Sequence, residues 1–172
     1  MPSKNNRILM ATDLSVFSSE IFRYTIELAV KMQAEIVIVH AVEPLGVLAD
    51  AMLETYVPRA YLDKVREKGM PVIIDAIRQE VMESVAHECE FHNAPVHIVD
   101  DLHVGVGEAC EVVLNAARQF HANLVVCGSG SPENAQTTAL GSTASKILQL
   151  SHLPVVMVPA SQTKPQIQSI AS

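Results

Sequence analysis

Tryptophan is absent, and aromatic residues make up only 4% of the chain. Any core must therefore be filled by Val, Ile, Leu, Met and Ala. Cysteine is scarce as well. Cys89, Cys110 and Cys127 are an odd number at wide spacing, which argues against a disulfide framework. Positive charge is in the minority: 12 Lys and Arg stand against 19 Asp and Glu, for a net charge of −7. That balance argues against non-specific binding to nucleic acid or to an acidic membrane. No apolar run approaches the ~18 residues of a membrane span. No long apolar stretch follows the charges of MPSKNNRILMATD, so no secretory signal is visible. These absences lead to the expectation of a cytoplasmic protein with no nucleic-acid partner and no membrane insertion.

What is present is an ordinary globular mixture, 49% hydrophobic over 172 residues, enough for one domain with a sizeable core. Arg7 to Thr12 reads as a first strand, ending at Asp13-Leu14-Ser15. Ser15 or Ser18 can cap the helix that follows to about Gln33, with Phe17, Ile21, Tyr24, Leu28 and Met32 as its apolar stripe. Ala34 to Val42 holds a second strand, whose β-branched run Ile36 to Val39 suits a strand covered on both faces.

The middle is less regular. Val47 to Tyr56 and Pro58 to Lys68 read as short helices. Pro71 starts a long one to about Glu90, with Val72, Ala76, Gln79, Met82, Val85, Ala86 and Cys89 as an imperfect stripe. Val96 to Val99 reads as a third strand that Asp100-Asp101 ends, and Glu108 to His121 as a helix with Val112, Val113, Ala116 and Phe120 inward.

Leu124 to Pro159 is the organising stretch: strand, glycine–serine loop, helix, strand. The strand Leu124 to Cys127 stops at Gly128-Ser129-Gly130-Ser131, where small residues let the backbone turn. A polar loop leads to Gly141-Ser142-Thr143, which opens a helix with apolar Ile147, Leu148 and Leu150. Pro154 ends it, and Val155 to Val158 is the last strand. Small residues at a strand's end, facing a helix N-terminus, direct free N–H groups and the helix dipole at one spot, where a phosphate fits. The alternation predicts an α/β fold with a parallel sheet and helices on both faces. A ligand then binds where strand order reverses, beside Asp13 and Gly128. The segment 1–160 is read as one domain and 161–172, rich in Ser and Gln, as a disordered tail.

ILMATDLS, VIVHAV and LVVCGSGS…LGSTASKILQLSHLPVVMVP together resemble the universal stress protein family, from Arg7 to Pro159. Nucleotide-binding members carry Gly-x-x-Gly, nine residues, then Gly-Ser or Gly-Thr. Gly128 and Gly141-Ser142 fit that spacing, while Ser131 replaces the second glycine and Gly130 adjoins it. No Lys or Arg lies between Gly128 and Leu140, where many members have one. The resemblance implies a five-stranded Rossmann-like sheet akin to the adenine-nucleotide hydrolases, dimeric through Val155–Val158. It implies adenosine contacts at Ala11, Thr12, Asp13 and Ala41. Ribose and phosphate contacts fall to Cys127, Gly128, Gly130, Ser131, Gly141, Ser142 and Thr143. Ser142 is placed to touch Mg²⁺ brought in with a nucleotide, with no metal held by protein alone. The expected ligand is ATP or AMP, which orders the loop and changes a dimer or partner surface. A nucleotide-free interaction module and a slow ATPase are the alternatives.

Other residues carry bland readings. His40 is expected as a rim histidine with one hydrogen bond rather than a base, since no nucleophile adjoins it. Cys89-x-x-His92 lacks the second pair of a metal site and reads as a solvated helix end. Cys127 reads as a packed small hydrophobe, and Asp100-Asp101 with His103 as a solvated loop. For Ser131 two accounts stand: a strained left-handed residue, or a loop shifted so that Gly130 takes the permissive conformation and Ser131 donates its hydroxyl. The second is favoured, so that Ser131→Gly is expected to weaken ATP binding.

Overall fold

The computed structural model describes residues 6–14, 18–43, 59–130 and 140–159, without the side chains of 59–70, 72, 73 and 96. The expected cap Ser15, the stripe residue Phe17, the helix at 47–56, Ser131 with the polar loop, and the 161–172 tail lie outside the described residues.

The elements are β1 (Arg7–Thr12), α1 (Ser18–Met32), β2 (Glu35–Val42), α2 (Arg59–Phe91), β3 (Val99–Val106), α3 (Ala109–Gln119), β4 (Leu124–Gly128), α4 (Ser142–Leu150) and β5 (Val155–Val158). They form a five-stranded sheet in the order β3-β2-β1-β4-β5, parallel at every pairing. Chain order reverses between β1 and β4, as expected. Along β1, alternate side chains divide the core. Ile8 and Met10 pack with Ile36, Ile38, α1 and α2, while Leu9 packs with Val37, Val39, α3 and α4.

Several expectations are corrected. The buried face of α1 is Ile21, Phe22, Thr25, Ile26 and Ala29. Tyr24 and Met32 are exposed, and the Arg23 guanidinium lies 4.2 Å over the Tyr24 ring. Thr25 is buried at little cost because its hydroxyl donates to Ile21 O within the helix, at 2.7 Å.

Among the described residues, the helix expected to end at Lys68 and the one expected to start at Pro71 are a single helix. α2 runs unbroken for 33 residues with Pro71 inside it. Its core stripe is Ile77, Val81, Val85 and Cys89, at i, i+4, i+8 and i+12, and Met82 is exposed. Cys89 is fully buried, so this helix end is packed rather than solvated, while His92 pairs with Glu88 at 3.4 Å.

β3 begins where it was expected to end. Val96–Ile98 is a 3-10 turn, and the strand continues through Asp100-Asp101 to Val106. It is an edge strand, so carboxylates tolerate the exposed side. The register slips opposite Ile36/Val37, leaving Asp100 as the extra residue of a bulge. The Arg7 guanidinium holds it at 2.9 Å. His103 is therefore a strand residue, edge-on to Phe120 at 5.7 Å.

In α4 only Ala144 and Ile147 are buried, and Leu148 and Leu150 face outward.

α1, α2 and α3 stop in the same way. Gln33, Asn93 and His121 take φ of 51°, 50° and 53°. The next residue, always alanine, bonds back five residues: Ala34 to Ala29 O, Ala94 to Cys89 O and Ala122 to Ala117 O. These are Schellman stops, made without glycine.

Candidate functional site

At the C-terminal ends of β1 and β4 a cleft of about 320 Å³ opens on the α3/α4 face. That volume lies within the roughly 300–1,000 Å³ usual for small-molecule sites. Its apolar wall is Ala11, Val39, Ala41, Ala109, Val113, Ala144 and Ile147, with Ile21 reaching in from α1. Its polar points are Thr12, Asp13, His40, Glu43, Thr143 and the backbone of Gly128, Gly130 and Gly141.

The β1–α1 turn is tied by hydroxyls. Leu14 N–H donates to Thr12 Oγ1 at 3.1 Å, and Thr12 Oγ1 lies 2.8 Å from Ser18 Oγ. Ser18 is the first residue of α1 rather than a cap outside it. Leu14 sits at φ 60°, a left-handed conformation costly for leucine and the kind of strain that collects at functional turns. The turn holds Asp13 at the rim.

His40 is opposite Thr12 in the β1/β2 register. Its Nδ1–H donates to Thr12 O at 2.9 Å, since a carbonyl can only accept. In the neutral ring Nε2 is then left as an acceptor.

Beyond β4, Ser129 N–H donates to Val158 O, and Gly141 N–H donates to Ser129 O, each at 2.9 Å. This clasp sets Gly130 beside Gly141, so that a Cβ at Gly130 would lie 3.9 Å from Gly141 N. Gly141 is the N-cap of α4 and brings no capping side chain. The first N–H groups of the helix lack intrahelical acceptors and lie at the cleft mouth. A Cβ at Gly128 would lie 3.0 Å from Ile21 Cδ1, so the smallness of Gly128 lets α1 close on β4. Among the described glycines only Gly107 has positive φ, at 149°. Gly130 therefore does not take the left-handed conformation that the shifted-loop account requires. Among the described residues, nothing beyond its chain neighbours lies closer than 3.9 Å to a Cβ built at Gly130.

Cys127 is 4% exposed, and burial pushes its thiol up to about 11. It lines the cleft as a neutral, apolar group.

On the outer side of the cleft, Glu108 caps α3 by accepting from Glu111 N–H at 3.0 Å. It also pairs with Lys146 of α4 at 2.9 Å. The bond from Lys146 and that backbone bond hold the Glu108 carboxyl below its ordinary value. Among the described residues no group of His, Cys, Asp or Glu is arranged to hold a metal ion.

The structure thus brings together Ala11, Thr12, Asp13, Ala41, Cys127, Gly128, Gly130, Gly141 and Thr143 from the sequence-based set. Ser142 is exposed and does not line the cleft. Sequence reasoning missed Ala109 and Ala144, and it read Val39, Val113 and Ile147 as core rather than as a ligand wall. It also left His40 and Glu43, at the end of β2, outside the set.

The model for the universal stress protein family matches residues 4–159. The universal stress protein YxiE of Bacillus subtilis (strain 168) is 27% identical over 158 residues, covering 89% of this chain and 98% of that protein. Among solved structures, the hypothetical protein MJ0577 superposes with a TM-score of 0.64 at 18% identity, over 92% of this chain and 99% of that one. UspA from Lactobacillus plantarum gives 0.63 at 16%, over 91% and 99%. A universal stress protein in complex with cAMP gives 0.55 at 16%, over 92% and 100%. The structural likenesses carry the fold, and the match along nearly the whole sequence carries the kinship: the chain belongs to the universal stress protein family.

Proposed function

We propose that this chain is an adenine-nucleotide-binding regulatory protein, taking ATP or AMP in the cleft between β1 and β4. It acts in the cytoplasm on a protein partner not yet identified, as a homodimer paired through Val155–Val158. One observation supports this reading most. An apolar slot, the turn carrying Asp13 and the free N–H groups at the start of α4 converge at the point where strand order reverses. A flat base suits the wall of Val39, Ala41, Val113 and Ile147. A ribose hydroxyl suits the Asp13 carboxylate, and phosphate suits the backbone from Gly128 to Thr143. The cAMP complex of a structural neighbour is consistent with an adenine guest. Regulation then works through the Gly128–Leu140 loop and the partner surface rather than through turnover. Among the described residues the cleft lining contains no Lys or Arg to meet a transferring phosphoryl group, so at most a slow ATPase is expected.

The test is the melting temperature against nucleotide concentration, with mass spectrometry of the fraction released on heating. A ligand that binds only the native state raises the melting temperature. Gly141→Val is expected to abolish the rise. Millimolar AMP and ATP that leave the curve unmoved would favour the second reading, an interaction module of the same fold that binds no nucleotide. That reading draws on Ser131 and on the lack of Lys or Arg between Gly128 and Leu140.

A further inference from the structure

The sheet has a second rim, opposite the cleft, where the strands begin. Ala122 and Leu153 stand just ahead of β4 and β5 there. The C-terminal turns of α3 and α4, with the turns that follow them, enclose a pocket of about 340 Å³, as roomy as the cleft. Leu114, Leu150 and Leu153 give it an apolar wall. Leu150 is 59% exposed, so an apolar guest would remove surface from water.

Both enclosing turns are tied by hydrogen bonds. After α3, His121 N–H donates to Arg118 O at 3.2 Å and Ala122 N–H to Ala117 O at 2.9 Å. After α4, Ser151 N–H donates to Ile147 O at 2.9 Å. Ser151 Oγ donates to Leu153 O at 2.9 Å and accepts from Leu153 N–H at 3.1 Å. Walls fixed in this way spare a ligand the cost of ordering them.

The charge is of one sign. Among the described residues the lining contains Arg118, His121 and His152 and no Asp or Glu. That is a departure in a chain of net charge −7. The flanking sequence agrees, with no Asp or Glu between Val112 and Gly130 or between Leu140 and Pro159. Two carboxylates at the same rim, Glu35 and Asp100, pair with Arg7 at 3.8 and 2.9 Å. Arg7 also donates to Phe120 O, past the end of α3, at 3.2 Å. Arg118 donates to Asn115 Oδ1 at 3.1 Å, one bond from a guanidinium with five N–H donors. A neutral imidazole adds one ring N–H donor.

The position limits how much charge can enter. Helix C-termini carry partial negative charge, the reverse of the N-termini at the cleft. A multiply charged phosphate is disfavoured beside them. A single carboxylate suits the planar fork of Arg118, and the leucines suit an apolar body.

We propose that this pocket is a second ligand site, taking a small organic monocarboxylate with a compact apolar body. The site stands whatever fills the cleft.

Titration of the full chain with phenylpropionate, followed by proton–nitrogen NMR, tests it. Shifts are expected at Leu114, Arg118, His121 and Leu153, and not at Ala11, Asp13 or Gly128. Phenylpropionamide, the same shape without the charge, is expected to bind about tenfold more weakly, through loss of a charge-assisted hydrogen bond. Arg118→Gln is expected to weaken phenylpropionate binding by a similar factor, and Arg118→Lys to restore part of it. The Arg118 side chain is exposed, so neither variant threatens the fold. Lack of a saturable shift at millimolar phenylpropionate, shifts confined to the cleft, or equal binding of acid and amide overturns the proposal. Unchanged phenylpropionate affinity in Arg118→Gln overturns it as well.

Discussion

Gly105 shows how little room the β3–α3 turn allows. A Cβ there would meet Val112 Cγ1 at 2.6 Å and His103 Nε2 at 3.3 Å. Val112 is β-branched and on a helix, so its rotamer cannot give way easily. Gly105→Ala is expected to destabilise the protein by about 1–3 kcal/mol, and adding Val112→Ala to restore most of that, both read from urea midpoints. The thiols add a pH dependence. Burial raises Cys127 from its ordinary 9.0 to about 11, and raises Cys89 and Cys110 as well. In the unfolded chain a thiol ionises as pH passes 9, while the folded Cys127 stays neutral. The unfolded state then binds fewer protons, so stability falls as pH rises. The contribution of Cys127 is intact below pH 9 and lost progressively up to about 11. Urea midpoints measured across that window are expected to fall, and Cys127→Ala to flatten the slope.

At the scale of elements, the helix stops invite a stabilising change. Gln33 sits at φ 51° with a Cβ that disfavours it. Gln33→Gly is expected to raise stability by about 0.5–1 kcal/mol, the relief of strain outweighing the entropy of glycine. Asn93→Gly should gain less, because asparagine tolerates this conformation. Thermal denaturation of both variants orders them, and a loss of stability in Gln33→Gly contradicts the strain argument. The same stops explain what was legible beforehand. Strands with continuous β-branched runs, such as Ile36 to Val39, announced themselves, and so did the glycine–serine ends of β4. The site was legible where it rests on strand ends and on the spacing from Gly128 to Gly141. The face of α1 was not, because its buried side contains the polar Thr25 and the small Ala29 while the larger Tyr24 and Met32 lie exposed. The continuity of α2 was not, because Pro71 signals a start yet lies in the interior. β3 was cut short because paired aspartates read as a stop, and nothing in the local pattern shows that Arg7, far away in sequence, neutralises one of them. The walls of the cleft were hidden for a related reason: Val113 and Ile147 serve core and cleft with the same helical face.

At the scale of the whole molecule, β5 ends the sheet, with β4 on one side. Val155, Val156 and Met157 are only half-buried in the single chain. An apolar edge strand of this kind invites pairing, and a two-fold axis covers it without leaving a free edge. Sedimentation is expected to show a dimer at micromolar concentration, and Val156→Lys to shift it toward monomer. A monomeric wild type would contradict the pairing.

The position of β1 in the sheet has a consequence in time. One side of β1 is closed early by β2, with Arg7 opposite Glu35, but the other waits for β4, with Ile8 opposite Leu124. On a ribosome adding roughly 5–20 residues per second, that second side stays open for on the order of 6–23 s. Ile8, Leu9 and Met10 are almost fully buried in the finished protein, and in the nascent chain they form an unpaired edge. A ligand cannot protect this edge, because Gly128 and Gly141 must emerge before the cleft exists. The nascent chain is therefore most vulnerable to aggregation in the interval before it can bind anything, and a chaperone that shields β1 then would raise yield where added nucleotide would not.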